Sequence, residues 1–204
     1  MNDKDNCLIG GETSCPNGTV SGYFTPGTFQ QYCLGQASYV TPIPDDLDPA
    51  GAAALMCGGV TVYTALKRAK LQHGQWVVVS GAGGGLGHLA IQYATAMGAK
   101  VLAIDHGSKE QFCLDLGAKA FLDYTQFSTT ESLVAQVQQT TIAGANIVLA
   151  CFSSNSAYAQ AVSFLGFRGI LVCLGVPEGP PVPIGGAIVG DMITKELTIF
   201  GKCL

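Results

Sequence analysis

The stretch "QWVVVSGAGGGLGHLAIQYATAMG", Gln75 to Gly98, constrains the fold more than any other part of the chain. It reads as a buried strand, a glycine-dense turn and a helix, in that order. Glycines let the backbone turn sharply and approach a pyrophosphate, while free amides at a helix N-terminus attract negative charge. The strict G-x-G-x-x-G spacing does not fit. Gly81, Gly84 and Gly87 recur instead at intervals of three. Such a turn can equally serve only to bring a helix close to a strand.

The next apolar run, "VLAID", closes on Asp105, at the distance where a carboxylate accepts hydrogen bonds from an adenosine ribose. An acid at that position favours NAD over NADP, whose extra phosphate it repels. His106 and Lys109 close by temper the preference. Lys109 reads equally well as a solvated residue in a helix's first turn.

From about residue 75 onward, short β-branched runs alternate with longer stretches of helical period, the pattern of a parallel α/β sheet. Six strands are expected at 76–80, 101–105, 120–124, 147–151, 169–175 and 197–202. Helices are expected between them at 86–97, 108–117, 129–139, 155–165 and 186–193. Each interval is long enough for the crossover that parallel neighbours require. Before residue 75 the text changes to turns, a short strand or two and a proline-punctuated acidic stretch, then helices at 50–57 and 60–70. This places a division between residues 1–45, a small irregular segment, and 46–204, the sheet domain.

Only 12% of residues are charged and 48% are hydrophobic, against about 25% charged in an average chain, which suggests a surface partly hidden by a partner. A net charge of −4 with unclustered Lys and Arg offers no footprint for nucleic acid or an anionic membrane. No apolar run approaches the ~18 residues of a membrane span, and the polar, acidic start is unlike a secretory signal. The expectation is an intracellular, cytoplasmic protein whose eight cysteines are free thiols. Cys113, Cys151 and Cys173, in apolar contexts, read as buried small hydrophobes.

Taken together, "CLIGGETSC…SGYFTPGTFQQY", "ALMCGGVTVYTALK", "GQWVVVSGAGGGLGHLAIQYATAMG" and "VLAID" resemble the zinc-containing alcohol dehydrogenases of the yeast type, in the medium-chain dehydrogenase/reductase superfamily. The resemblance covers nearly the whole chain. It implies a Rossmann-type, doubly wound, parallel six-stranded sheet behind a remnant of the catalytic domain. Gly81, Gly84, Gly85, Leu86 and Gly87 match the family's dinucleotide loop, and Asp105 matches its ribose-binding acid. "LGVPEG", Leu174 to Gly179 and including Val176, matches the segment beside the nicotinamide ring. The strand matching "LTIFGK" pairs in the family with its copy in a second subunit, implying a homodimer through 197–202.

The departures implicate the metal. Cys57 matches the last protein ligand of the family's catalytic zinc, but the other ligands, in and near a Gly-His-Glu motif, have no counterpart here, nor does the proton-relay histidine. Cys7 and Cys15 match the third and fourth cysteines of a structural zinc lobe whose first two positions fall on Met1 and Lys4. Against the family the chain therefore reads as truncated at both ends. No bound zinc is expected, and Cys7, Cys15 and Cys57 are read as remnants of ligand sets, Cys57 as a partly buried thiol.

Three classes of function follow from this reading. One is a nicotinamide-dependent oxidoreductase working without zinc, the cofactor supplying the chemistry. Another is a repurposed cyclase, isomerase or dehydratase using the cleft at the strands' carboxyl ends, with His88, His106, Tyr124 and Cys57 as candidate catalytic groups beside Asp105. The third is a catalytically silent, dimeric binding remnant. Lys109 and Val176 join the loop glycines, Leu86 and Asp105 as candidate cofactor contacts, with NAD the expected nucleotide.

Overall fold

The computed structural model describes residues 15, 17–35, 37, 40–177, 179–180, 183–184 and 186–202. Cys7 lies outside them, as does Glu178 of the "LGVPEG" segment. The chain divides into two compact units, one running to Ala53 and the other Ala54–Lys202, where the sequence suggested a division after residue 45.

In the first unit the expected short strands reduce, among the described residues, to one isolated bridge between Ser21 and Thr25. Gly22, at φ +86°, closes that turn by donating its N–H to the Thr25 carbonyl at 2.9 Å. Glycine suits the left-handed conformation because it carries no Cβ.

The second unit is built on one six-stranded sheet: β1 (Trp76–Ser80), β2 (Lys100–Asp105), β3 (Ala120–Asp123), β4 (Ala145–Ala150), β5 (Leu165–Cys173) and β6 (Thr198–Gly201). Their order is β3-β2-β1-β4-β5-β6, and every neighbouring pair is parallel. The order reverses between β1 and β4, the switch point at which open α/β sheets bind ligands.

Successive side chains of a strand point to opposite faces, and here both faces are covered. Val77 and Val79 of β1 join Ile147 and Leu149 of β4 in one apolar cluster. Val78 joins Val148, Leu102 and Leu171 in the other. Double coverage explains why these strands are written as continuous apolar runs rather than alternating ones.

Helices α1 (Pro49–Ala54), α2 (Val60–Arg68), α3 (Gly85–Ala96), α4 (Glu110–Asp115), α5 (Thr130–Thr141), α6 (Asn155–Ala161) and α7 (Val189–Thr194) complete the architecture. A π-helical turn, Leu55–Gly59, joins α1 to α2, so the two helices expected at 50–57 and 60–70 form one continuous run. That run, Pro49–Arg68, has 20 residues and a mean hydropathy of 1.3, enough by length and composition to cross a membrane, contrary to the sequence expectation. Its residues Val62, Ala65 and Leu66 are instead fully buried in the cluster that covers one face of the sheet.

The helix expected at 155–165 stops at Ala161, followed by a 3-10 turn Val162–Phe164, and β5 starts at Leu165. Leu165 pairs with Ala145 before a register irregularity that resumes at Ile147 and Ile170. The irregularity is possible because Gly144, at φ +108°, lies against the Gly166 backbone, where a Cβ would come within 2.5 Å of the Gly166 nitrogen.

Candidate functional site

The site is made where β1 turns into α3. Gly81 follows the strand at φ +77° and donates its N–H to the Ile104 carbonyl at 3.0 Å, which fastens the turn to β2. Gly84 caps α3 with an extended backbone and no side-chain capping bond. The first intrahelical bond is His88 N–H to the Gly84 carbonyl, 3.0 Å. By helix geometry the amides of Gly85, Leu86 and Gly87 are then left without intrahelical partners at the positive end of a 12-residue helix.

The glycines divide the work. A Cβ on Gly87 would collide with the Gly81 carbonyl and lie 2.6 Å from the Ala82 Cα, so Gly87 lets the helix seat on the turn. A Cβ on Gly85 would meet nothing within 4 Å. The packing reading of the loop is thus right for Gly87, while Gly85 leaves open space before the free amides.

Asp105 ends β2 with both carboxylate oxygens oriented by backbone. Oδ2 accepts the Gly83 N–H at 2.7 Å and Oδ1 accepts the His106 N–H at 2.7 Å. A carboxylate offers about four acceptor positions, so two remain for hydroxyl donors. Lys109 lies across the other side of Gly83, where a Cβ would come within 2.7 Å of its Cγ. Its side-chain stem packs the loop.

A cleft of about 370 Å³ opens beside this turn, lined by Gly81, Asp105, Tyr124, Phe152, Ser154 and Gln160 among others. Tyr124 starts the 3-10 turn Tyr124–Gln126, capped by Asp123, which accepts from the Thr125 N–H at 3.0 Å and from its hydroxyl at 2.7 Å. The Thr125 hydroxyl is the largest influence holding the Asp123 carboxyl below its ordinary range. A second, more polar hollow of about 250 Å³ shares Tyr124, Leu133 and Gln160 with the cleft and extends it toward Thr130.

Of the candidate catalytic groups, only Tyr124 lines this cleft. His88 Nδ1 lies 3.0 Å from the Gly84 carbonyl, and its ring stands 6.3 Å from that of Phe112. His106 is half of a local cap, its Nδ1 accepting the Ser108 N–H at 3.2 Å. Cys57 sits in the π-helical turn and is exposed rather than partly buried, because the turn directs the Gly59 backbone, not the thiol, toward α3. A Cβ on Gly59 would lie 2.9 Å from the Tyr93 hydroxyl.

Val176 is 78% exposed just beyond β5. Cys113 is buried, whereas Cys151, just past β4, and Cys173, the last residue of β5, are half-buried. Burial pushes the Cys151 thiol up to about 12.

Phe152, Ser154 and Gln160 were not recognisable as site residues, since they enter from the connection after β4 and from α6, far along the chain. The one local signal was the aromatic Phe152 directly after "IVLAC", at a strand's carboxyl end. No three His, Cys, Asp or Glu side chains come together as a ligand set among the described residues. Cys15 is half-buried in the first unit.

Residues 85–204 match the family described as zinc-binding dehydrogenase. The chain belongs to the zinc-binding dehydrogenase family. It is 50% identical over 204 residues to alcohol dehydrogenase 2 of Emericella nidulans, covering 97% of this chain and 56% of that protein. The structure of an alcohol dehydrogenase from the archaeon Aeropyrum pernix superposes with a TM-score of 0.78 at 27% identity, over 94% of this chain and 55% of that one. A quinone oxidoreductase of Thermus thermophilus, whose structures include a complex with NADPH, matches with a TM-score of 0.63 at 30% identity, over 80% of this chain and 50% of the other.

The zinc-binding dehydrogenase family membership makes the resemblance seen in the sequence a finding, and the parallel six-stranded sheet is the architecture these neighbours share. The chain spans about half the length of the relatives it matches.

Proposed function

We propose that the unit Ala54–Lys202 binds a nicotinamide dinucleotide and serves as the cofactor-binding half of an oxidoreductase acting on alcohols. The observation that carries this reading is the carboxylate of Asp105, oriented by the Gly83 and His106 amides at 2.7 Å each and facing the cleft with acceptor positions to spare. The residues present fit the nucleotide. Asp105 would accept hydrogen bonds from the adenosine ribose, the amides of Gly85, Leu86 and Gly87 would face the pyrophosphate, and Tyr124 and Phe152 would wall the base. When bound, the nicotinamide ring accepts or returns hydride, and the protein's part is to hold and orient it.

NAD is preferred over NADP because Asp105 repels a 2′-phosphate. The NADPH complex of the Thermus neighbour makes this a property to measure for this chain. Alcohols as the substrate class follow from the names of the relatives alone. We further propose a homodimer joined along β6, one of the two edge strands of the sheet, since an uncovered apolar edge otherwise templates aggregation.

Calorimetric titration of the 204-residue chain with NAD, NADP and ADP-ribose, with metal analysis of the same sample, tests the reading. Binding of NAD and ADP-ribose, with NADP weaker, is expected. Failure of both NAD and ADP-ribose to bind would overturn it.

A further inference from the structure

We propose that Tyr158 is a positioning residue that couples the dinucleotide cleft to the backbone presenting the nicotinamide side of the site. The inference rests on the dinucleotide reading above and concerns its other half. With strand order β3-β2-β1-β4-β5-β6, a dinucleotide straddles the β1/β4 switch point, one nucleoside over β2 and the other over the ends of β4 and β5. Asp105 takes the first of these. The second falls on the turn after β5, where Gly175 leads into Val176 and Pro177.

That turn is held from below. Tyr158, on α6 and only 5% exposed, donates its hydroxyl to the Gly175 carbonyl at 2.5 Å. The Gly175 N–H and the Leu174 N–H both go to the Ala150 carbonyl, at 3.0 and 3.1 Å. A Cβ on Gly175 would strike the Phe152 carbonyl, so this backbone lies directly on the end of β4. The Tyr158 ring meets that of Phe152 edge-on, with centroids 4.9 Å apart, and Phe152 is a wall of the cleft that Asp105 shares.

Tyr158 also lines a second hollow of about 150 Å³, together with Gly175, Pro177, Pro183 and Ile184. One buried ring therefore touches the adenosine-side wall and fixes a carbonyl on the nicotinamide side. A phenol keeps its proton at neutral pH, and burial foremost, with the nearby Cys173 and Cys151, pushes this one further up, to about 12. It is thus a standing donor.

The test compares NAD with ADP-ribose, which lacks the nicotinamide, by calorimetry on the full chain and on Tyr158→Phe, which keeps the ring and removes the donor. Tyr158→Phe should leave ADP-ribose affinity unchanged and weaken NAD about fivefold, the order that one hydrogen bond is worth. Tyr158→Met, which fills similar apolar space without a donor, should raise the NAD to ADP-ribose ratio of dissociation constants in the same direction. Thermal stabilisation by ADP-ribose verifies that each variant is folded. A merely structural tyrosine would change both ligands together or neither, and an unchanged ratio overturns the proposal. Failure of the unaltered chain to bind both NAD and ADP-ribose would instead overturn the dinucleotide reading, and this inference with it.

Discussion

Asp105 and Gly83 are joined across the site by a hydrogen bond of 2.7 Å, from the loop amide to Oδ2 of the carboxylate that closes β2. The bond fixes the loop and the acid to one another before any ligand arrives. Preorganisation of this kind lowers the ordering cost of binding.

Replacing Asp105 by Ala removes both the proposed ribose acceptor and the loop's anchor. NAD affinity should fall about 10- to 100-fold, the range for hydrogen bonds to a charged group. Asp105→Asn should keep an oxygen acceptor while dropping the charge, and so narrow the difference between NAD and NADP. Calorimetric dissociation constants check both, and unaltered NAD affinity in Asp105→Ala would remove the carboxylate from the site.

Gly87 and Gly85 should respond oppositely to the same methyl group. Gly87→Ala forces the helix off the turn, because the new Cβ would sit 2.6 Å from the Ala82 Cα. It should cost about 1–3 kcal/mol in urea unfolding, as overpacking does. Gly85→Ala meets open space and, at the first turn of a helix, should leave stability equal or higher while weakening nucleotide binding.

Stability should decline in alkali, and Cys113 should be one cause. Burial first, and then the charge of Asp105, push its thiol from the ordinary 9.0 to about 11, with Lys109 opposing. Below 9.0 both states keep the proton, and the group's contribution is fully present. Between 9.0 and about 11 the unfolded chain releases a proton that the native state retains, so unfolding becomes easier. The slope for one such group is at most about 1.4 kcal/mol per pH unit. Cys113→Ala should flatten part of the decline in denaturation midpoints measured across that window; an identical pH profile would show the thiol does not contribute.

The proposed edge pairing can be broken without touching the inner ladder. Lys202 donates its N–H to the Cys173 carbonyl at 3.1 Å, so by the two-residue period of a strand the Gly201 N–H points away from β5. Gly201→Pro removes that outward donor. Sedimentation velocity should show a dimer for the unaltered chain and a monomer for the variant. A monomeric unaltered chain would discard the pairing.

Much of the fold was legible because its signals are local. All six strands lie where short β-branched runs stand, and their parallel pairing follows from the intervals that separate them. The strand–turn–helix order of "VVVSGAGGGLGH" and the acid closing "VLAID" were likewise readable, since loop, helix start and strand end are adjacent in sequence. The start of β5 at Leu165 was not. Its first residues take their place by pairing with Ala145, a partner 20 positions upstream that no local propensity announces.

What the sequence by itself determined is the sheet, its parallel sense and the glycine-dense turn from strand to helix, products of residue periodicity and of glycine placement. Only the tertiary structure decided which of the chemistry-bearing residues meet. It brought Tyr124, Phe152 and Gln160 to Asp105 from separate strand ends and helices, turned His88 back onto its own helix start, left Cys57 exposed on a π-helical turn, and placed the Tyr158 hydroxyl on Gly175. The physical reason is that side-chain convergence depends on strand order and helix seating. Those are settled by burying both faces of the sheet at once, and no single segment encodes them.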